Sequence, residues 1–226
     1  MTPLVLDLPF DGRWRAEMSP ASRVPSHGTD LFGITYAIDF VGVDDRGRSA
    51  PRTWRTLLTE PARAFVGFGR PITAPAAGTV VSVHDGELDH VGRRSALTLI
   101  PYVLGQAGRV RAGIDAIAGN HVIIAISPTG PFVGLVHLRQ GSLSVGIGDV
   151  VSVGDLLAEC GNSGNSTEPC LHVQVTDSID WRVARGIPIV FRAYRSVDTG
   201  ATIQNGLPGE REIIEPPDVL DRAWLR

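Results

Sequence analysis

Apolar and polar residues alternate with period two over short stretches of this chain. Turn-forming residues separate the stretches, which is the pattern of half-buried β-strands. Residues 34–41 predict one such strand, with Tyr36, Ile38 and Phe40 on one face and Ala37 and Asp39 on the other. Others are predicted within 71–85 and at 121–126, 132–138, 156–160, 170–176 and 187–194. Residues 145–155 hold two Gly-Asp turns flanked by valines. The alternation fails in two places. Residues 44–70 are polar, Arg-rich and irregular, with a short helix expected near 53–64, and residues 87–119 read as a partly helical insertion. Residues 1–26, punctuated by Pro3, Pro9, Pro20 and Pro25, read as an extended lead-in, and residues 196–226 as a Pro-rich polar tail. No solenoid repeat and no long linker divides the chain, so 27–195 is expected to form one domain. The expected fold class is all-β (β-rich). It would be an antiparallel sheet of barrel-sandwich character, of the duplicated-hybrid type, with a loop-flanked cleft and the insertion at 87–119.

Composition agrees and removes some functions. A hydrophobic content of 43% over 226 residues suffices for a full core, and 26 Gly with 16 Pro suit a strand-and-turn chain. The net charge is −3 and no basic block occurs, which argues against a nucleic-acid partner. All 21 basic residues are Arg. A Schiff-base lysine, a P-loop lysine and a lysine carrying biotin or lipoate are therefore excluded. No run approaches the roughly 18 apolar residues of a membrane span. The N-terminal residues lack the charged and apolar regions of a signal peptide, so the sequence by itself points to the cytoplasm. The two cysteines, Cys160 and Cys170, leave the redox compartment open.

The candidate chemistry centres on residues 170–176. Cys170, His172, Gln174 and Thr176 fall on one strand face, and Leu171, Val173 and Val175 on the other. A thiol and an imidazole two residues apart on one face can meet the same zinc ion. The preceding residues 161–169, Gly-Asn-Ser-Gly-Asn-Ser-Thr-Glu-Pro, form a turn-rich loop that would bring this strand end to a cleft. A zinc site needs further ligands from other segments. His27 lies in a loop just before the strand that carries Asp39, and a carboxylate set among Tyr36, Ile38 and Phe40 calls for a partner. His137 lies in a strand between Val136 and Leu138. His84, His90 and His121 lack such context and read as surface or structural residues.

The order of these segments resembles the M23 (lysostaphin-like) family of zinc metallopeptidases, which cut peptide cross-links in bacterial cell walls. The resemblance covers about residues 26–195, interrupted by 87–119. It is carried by His27 followed by Asp39, by 72–81, by His137 between Val136 and Leu138, by 145–155, and by 161–172 ending in His172. Residues 187–191 are similar to the strand that follows the core in some members. The resemblance implies that His27, Asp39 and His172 bind zinc, that the metal activates a water and polarises the scissile carbonyl, and that His137 stabilises the oxyanion or moves a proton. The implied partner is a peptide or peptidoglycan, which places the protein outside the cytoplasm, against the reading of the N-terminus.

Cys170 departs from the family pattern, which has a His there. Three readings stand open: Cys170 closes the zinc shell as a fourth ligand, pairs with Cys160, or is an inert thiol beside a catalytic His137. Each points to attenuated catalysis. The competing function is a catalytically degenerate relative that binds a wall peptide or a protein. A biotinyl or lipoyl carrier is suggested by 74–81 and 148–157 but lacks its lysine. A phosphohistidine carrier could use His137 and His172 but leaves His27 and Asp39 unexplained.

Overall fold

A computed structural model of the chain describes residues 2–51, 58–95, 97–98 and 113–217. Its strands are β1 (Leu4–Leu6), β2 (Trp14–Glu17), β3 (Ile38–Gly42), β4 (Thr59–Glu60), β5 (Pro71–Thr73), β6 (Gly78–His84), β7 (Gly92–Arg93) and β8 (Asn120–Ala125). They continue with β9 (Phe132–Leu138), β10 (Val150–Val151), β11 (Leu156–Glu159), β12 (Leu171–Thr176), β13 (Ile189–Ser196), β14 (Thr202–Gly206) and β15 (Ile213–Glu215). Eleven of them form one sheet in the order β1-β13-β15-β2-β3-β12-β9-β8-β6-β10, with β14 also paired to β13. The fold is β-rich, as the alternation predicts. The sheet is mixed rather than purely antiparallel, because β1 runs parallel to β13. No helix among the described residues is long and apolar enough to cross a membrane.

Both flanks differ from the sequence expectation. Residues 1–26 are not merely a lead-in: β2 pairs with β3 and β1 with β13. The segment after 195 is not merely a tail, since β15 lies between β13 and β2. Trp14 and Ile214 are fully buried in the main core, so these short strands contribute apolar surface as well as backbone pairing. The strand expected at 34–41 begins at Ile38. Leu31–Tyr36 instead forms 3-10 turns, broken where Phe32 and Gly33 take positive φ. The helix expected near 53–64 falls partly outside the described residues, and its described part holds β4 and a 3-10 turn at Ala62–Ala64. The described part of the insertion contains β7, helical residues at 97–98 and the short helix α1 (Ile114–Ala118).

The two faces of the sheet bury different clusters. The larger lies between the sheet and the β5–β11 pair, and includes Phe10, Trp14, Ile38, Phe40, Ile72, Leu135, Leu157, Leu171 and Phe191. Its aromatic rings interlock: Phe40 meets Phe10 edge-on at 4.9 Å and Phe191 at 5.5 Å between centroids. Phe40→Ala is expected to cost about 3–5 kcal/mol, read as a lowered denaturant midpoint, because the strands around this cavity cannot collapse into it. The smaller cluster joins Val136, Ile123 and Trp181 to Ala118 and Ile114 of α1. The insertion therefore packs on the face opposite the main core, the face that carries the polar residues described next.

Candidate metal centre

Register places the first pair. Asp39 on β3 stands directly opposite His172 on β12, and residues opposite each other on antiparallel strands project to the same face. Their neighbours Ile38, Phe40, Leu171 and Val173 project into the main core, as the alternation requires. His27 arrives from the loop before the 3-10 turns. One nitrogen of His27, one carboxylate oxygen of Asp39 and one nitrogen of His172 all lie within 4.8 Å of one another. This is the only such group of three or more potential ligands found among the described residues. Asp39 is 20% exposed and His27 16%, so the group can be reached from solvent.

The hydrogen bonds define which nitrogens face inward. The Ser26 hydroxyl contacts the Ile34 carbonyl at 3.1 Å, and that oxygen can only accept. The hydroxyl proton is thus committed, and Ser26 Oγ accepts from His27 Nδ1–H at 2.9 Å. His27 Nε2 then points at Asp39 Oδ2, 3.3 Å away. At His172 the logic repeats. Gln174 Nε2 donates to the Phe32 carbonyl at 3.1 Å, which fixes the amide and leaves Oε1 to accept from His172 Nε2–H at 2.9 Å. His172 Nδ1 faces Asp39 Oδ1 at 2.8 Å. Both imidazoles thus spend their outer N–H on neutral acceptors and turn the other nitrogen to a shared carboxylate. Two lone pairs facing a carboxylate repel it unless a cation lies between. The donor set fits a divalent metal: two imidazole nitrogens and one carboxylate oxygen, each imidazole oriented by an outer partner. Without a metal, a proton must serve. Burial opposes charge on His172, yet the Asp39 carboxylate and its hydrogen bond raise its pKa overall. Burial likewise opposes the Asp39 charge, and the two imidazoles outweigh it, holding the carboxyl well below its usual range.

His137 reaches the same face through a bulge. Between β8 and β9, Asn120 pairs with Leu138 but Val122 with Leu135, so β9 carries one extra residue. Leu135 and Leu138 both enter the main core, while Val136 joins the smaller cluster. His137 takes φ 64°, a left-handed conformation uncommon for non-glycine residues. Its ring centroid lies 6.0 Å from that of His172. Its Nδ1 contacts the Ser163 carbonyl at 2.9 Å and must donate there, so Nε2 carries the lone pair. Burial, with His172 nearby, pushes its pKa down to about 4, so the ring is neutral near pH 7. The Ser163 turn lies close against the residue that ends α1: a Cβ on Gly119 would come 2.5 Å from the Ser163 carbonyl carbon.

Cys170 lies at the foot of β12, buried, with its Sγ 3.2 Å from Ser166 Oγ. It is not part of the converging group. Burial, with the Asp39 charge nearby, raises its pKa well above the usual thiol value, so it is a neutral thiol. Cys160 is also free and buried, and the two form no disulfide. Of the three sequence readings of Cys170, the fourth ligand and the disulfide are not the arrangement found. His84 and His121 pair across β6 and β8, with His121 5.1 Å from Trp181, apart from the converging group. A cavity of about 690 Å³ lies elsewhere, between Phe10, Thr73, Val153 and Arg192, and includes none of these residues. Sequence reasoning missed Ser26, Ser163 and Gln174 as partners. The adjacency of Ser26 to His27 and the shared face of Gln174 and His172 were the available signals.

No protein-family model matches the sequence. No curated protein matches it either. Among solved structures the neighbours include M23 peptidases, at low sequence identity. The catalytic domain of the antimicrobial peptidase lysostaphin from Staphylococcus simulans is 18% identical over 67% of this chain and 74% of that one, with a TM-score of 0.37. A zinc-containing peptidase from Vibrio cholerae is 16% identical over 67% of this chain and 48% of that one, with a TM-score of 0.34. The M23 metalloprotease pseudoalterin, from the deep sea, is 12% identical over 95% of this chain and 96% of that one, with a TM-score of 0.44.

Proposed function

We propose that this chain is a zinc-dependent endopeptidase of the M23 type that acts on peptide cross-links of peptidoglycan or a related peptide, with His137 as the only imidazole beside the metal ligands. The observation that carries this reading is the inward aim of His27 and His172 at the Asp39 carboxylate, with both outer N–H groups already engaged. His27, Asp39 and His172 would hold the zinc. Three protein ligands with a position left open is the composition of a catalytic rather than a structural site. Zinc in such a site polarises a carbonyl and makes a bound water easier to deprotonate. His137 supplies the proton handling. Its Nε2 is free to accept because Nδ1–H is anchored on Ser163, and a neutral imidazole held in one orientation takes a proton without reorganising. The catalytic unit would span residues 27–195, with the flanking strands completing the sheet. A wall substrate would put its site of action outside the cytoplasm.

One observation favours a second reading, a degenerate domain that keeps the metal and binds wall peptide without cutting it. Cys170 is a neutral buried thiol where the family resemblance implies a second imidazole. The test compares wild type with Cys170→His on purified peptidoglycan and Gly-Gly peptides, with zinc content measured in both. Zinc-dependent cleavage by wild type is the expected result. Cleavage by the variant alone would establish the degenerate reading, and zinc-free wild-type protein after gentle purification would sink both.

A further inference from the structure

We infer that Gln174 is a positioning residue: it sets which nitrogen of His172 faces Asp39, and it ties that choice to the segment that carries His27. The residue is 3% exposed and both ends of its amide are used. Oε1 accepts from His172 Nε2–H at 2.9 Å, and Nε2 donates to the Phe32 carbonyl at 3.1 Å. The two bonds are interdependent. If the amide turned over, an N–H would face the N–H of His172 and a carbonyl would face the Phe32 carbonyl, so both contacts would become repulsive. The donor to Phe32 therefore enforces the acceptor to His172, and the ring is left with Nδ1 for Asp39.

Phe32 is not an arbitrary anchor. It sits in the 3-10 turns between His27 and Asp39, at φ 60°, and its carbonyl meets the Gln174 amide of β12. The next residue, Gly33, lies flush on β12: a Cβ there would come 2.5 Å from Thr176 Cγ2. One amide thus bridges the strand that presents His172 and the segment leading from His27 to Asp39. It does so without charge. A carboxylate at this place would keep the acceptor for His172 but lose the donor to Phe32, setting two acceptors face to face. It would also add a second negative charge near Asp39. The amide orients the ring and leaves Asp39 the only anion of the converging group.

The inference rests on the metal reading only for one of its two readouts. The variants are Gln174→Met, which keeps volume but has no hydrogen bond to offer, and Gln174→Glu, which keeps the acceptor alone. The first readout is nitrogen-15 NMR of histidine-labelled protein, metal-free and zinc-loaded. It reports whether His172 Nε2 carries a slowly exchanging proton. The second is zinc affinity by chelator competition. Wild type is expected to show the protected Nε2 proton in both forms. Gln174→Met is expected to lose that protection and to bind zinc about 10–100-fold more weakly, the usual effect of removing an outer partner. Gln174→Glu is expected to keep the proton and to fall between the two in affinity. A Gln174→Met protein that is folded by its NMR spectrum, retains the protected proton and binds zinc as tightly as wild type would overturn the inference. If wild type binds no zinc yet its Nε2 proton is protected in a Gln174-dependent way, the metal reading fails and the positioning role stands.

Discussion

Replacing His172 with alanine is expected to abolish tight zinc binding, with a loss beyond the roughly 10–100-fold that an outer partner's removal costs. The reason is the small number of donors. Three side chains converge, and removal of one leaves a carboxylate on a strand and a single imidazole on a loop. The loss should also appear as stability. A ligand that binds only the folded state stabilises it by mass action, about 2.7 kcal/mol at a free concentration a hundred times Kd. Thermal unfolding of wild type is thus expected to shift upward with added zinc, and that of the variant is not. His172 is buried, so its truncation also leaves the Asp39 carboxylate with His27 as its one remaining imidazole partner. His27→Ala, a change in a loop rather than a strand, separates the two effects: it is expected to lose the zinc response with less damage to the metal-free fold. Retention of wild-type zinc affinity by both variants would remove these residues from the ligand set.

The second large effect is expected at His137. His137→Asn should reduce hydrolysis about 10²–10⁴-fold, the usual contribution of a positioned general acid–base group, while zinc content stays at the wild-type level. Asparagine suits the test because it tolerates the left-handed backbone that the bulge imposes, whereas a β-branched residue would be strained there. The measurement is kcat on a cross-link peptide with zinc quantified in the same sample, in the wild-type background or, if only that form cleaves, in Cys170→His. Undiminished hydrolysis would show that this imidazole handles no proton in the rate-limiting step. Loss of zinc together with activity would instead make His137 a ligand.

The alternation of short strands was legible because each half-buried strand writes its own period-two pattern. The strands at 132–138 and 170–176 were read nearly to their ends. Asp39 and His172 were legible as polar residues on the far side of apolar neighbours, which is a local property. The flanking strands were not, since β1, β2 and β15 are three or four residues long and too short to show a period. They are strands because partners far along the chain accept their backbone groups. Leu4 pairs with Ile189, and Trp14 with Ile214.

The sequence by itself therefore determined the strand-rich character of the chain, the face on which each strand's polar residues stand, and the side chains able to bind a metal. Tertiary structure alone decided their aim. A one-residue excess on β9, visible only against β8, turns His137 to the polar face. Carbonyls of Ile34, Phe32 and Ser163, brought in by other segments, decide which nitrogen of each imidazole keeps its proton. Cys170 is kept a neutral thiol by burial and by the nearby charge of Asp39. The physical reason is common to all three. Residue type and face are written in local order, but the hydrogen-bond partner of a side chain, and with it its protonation and direction, belongs to whatever the fold sets beside it.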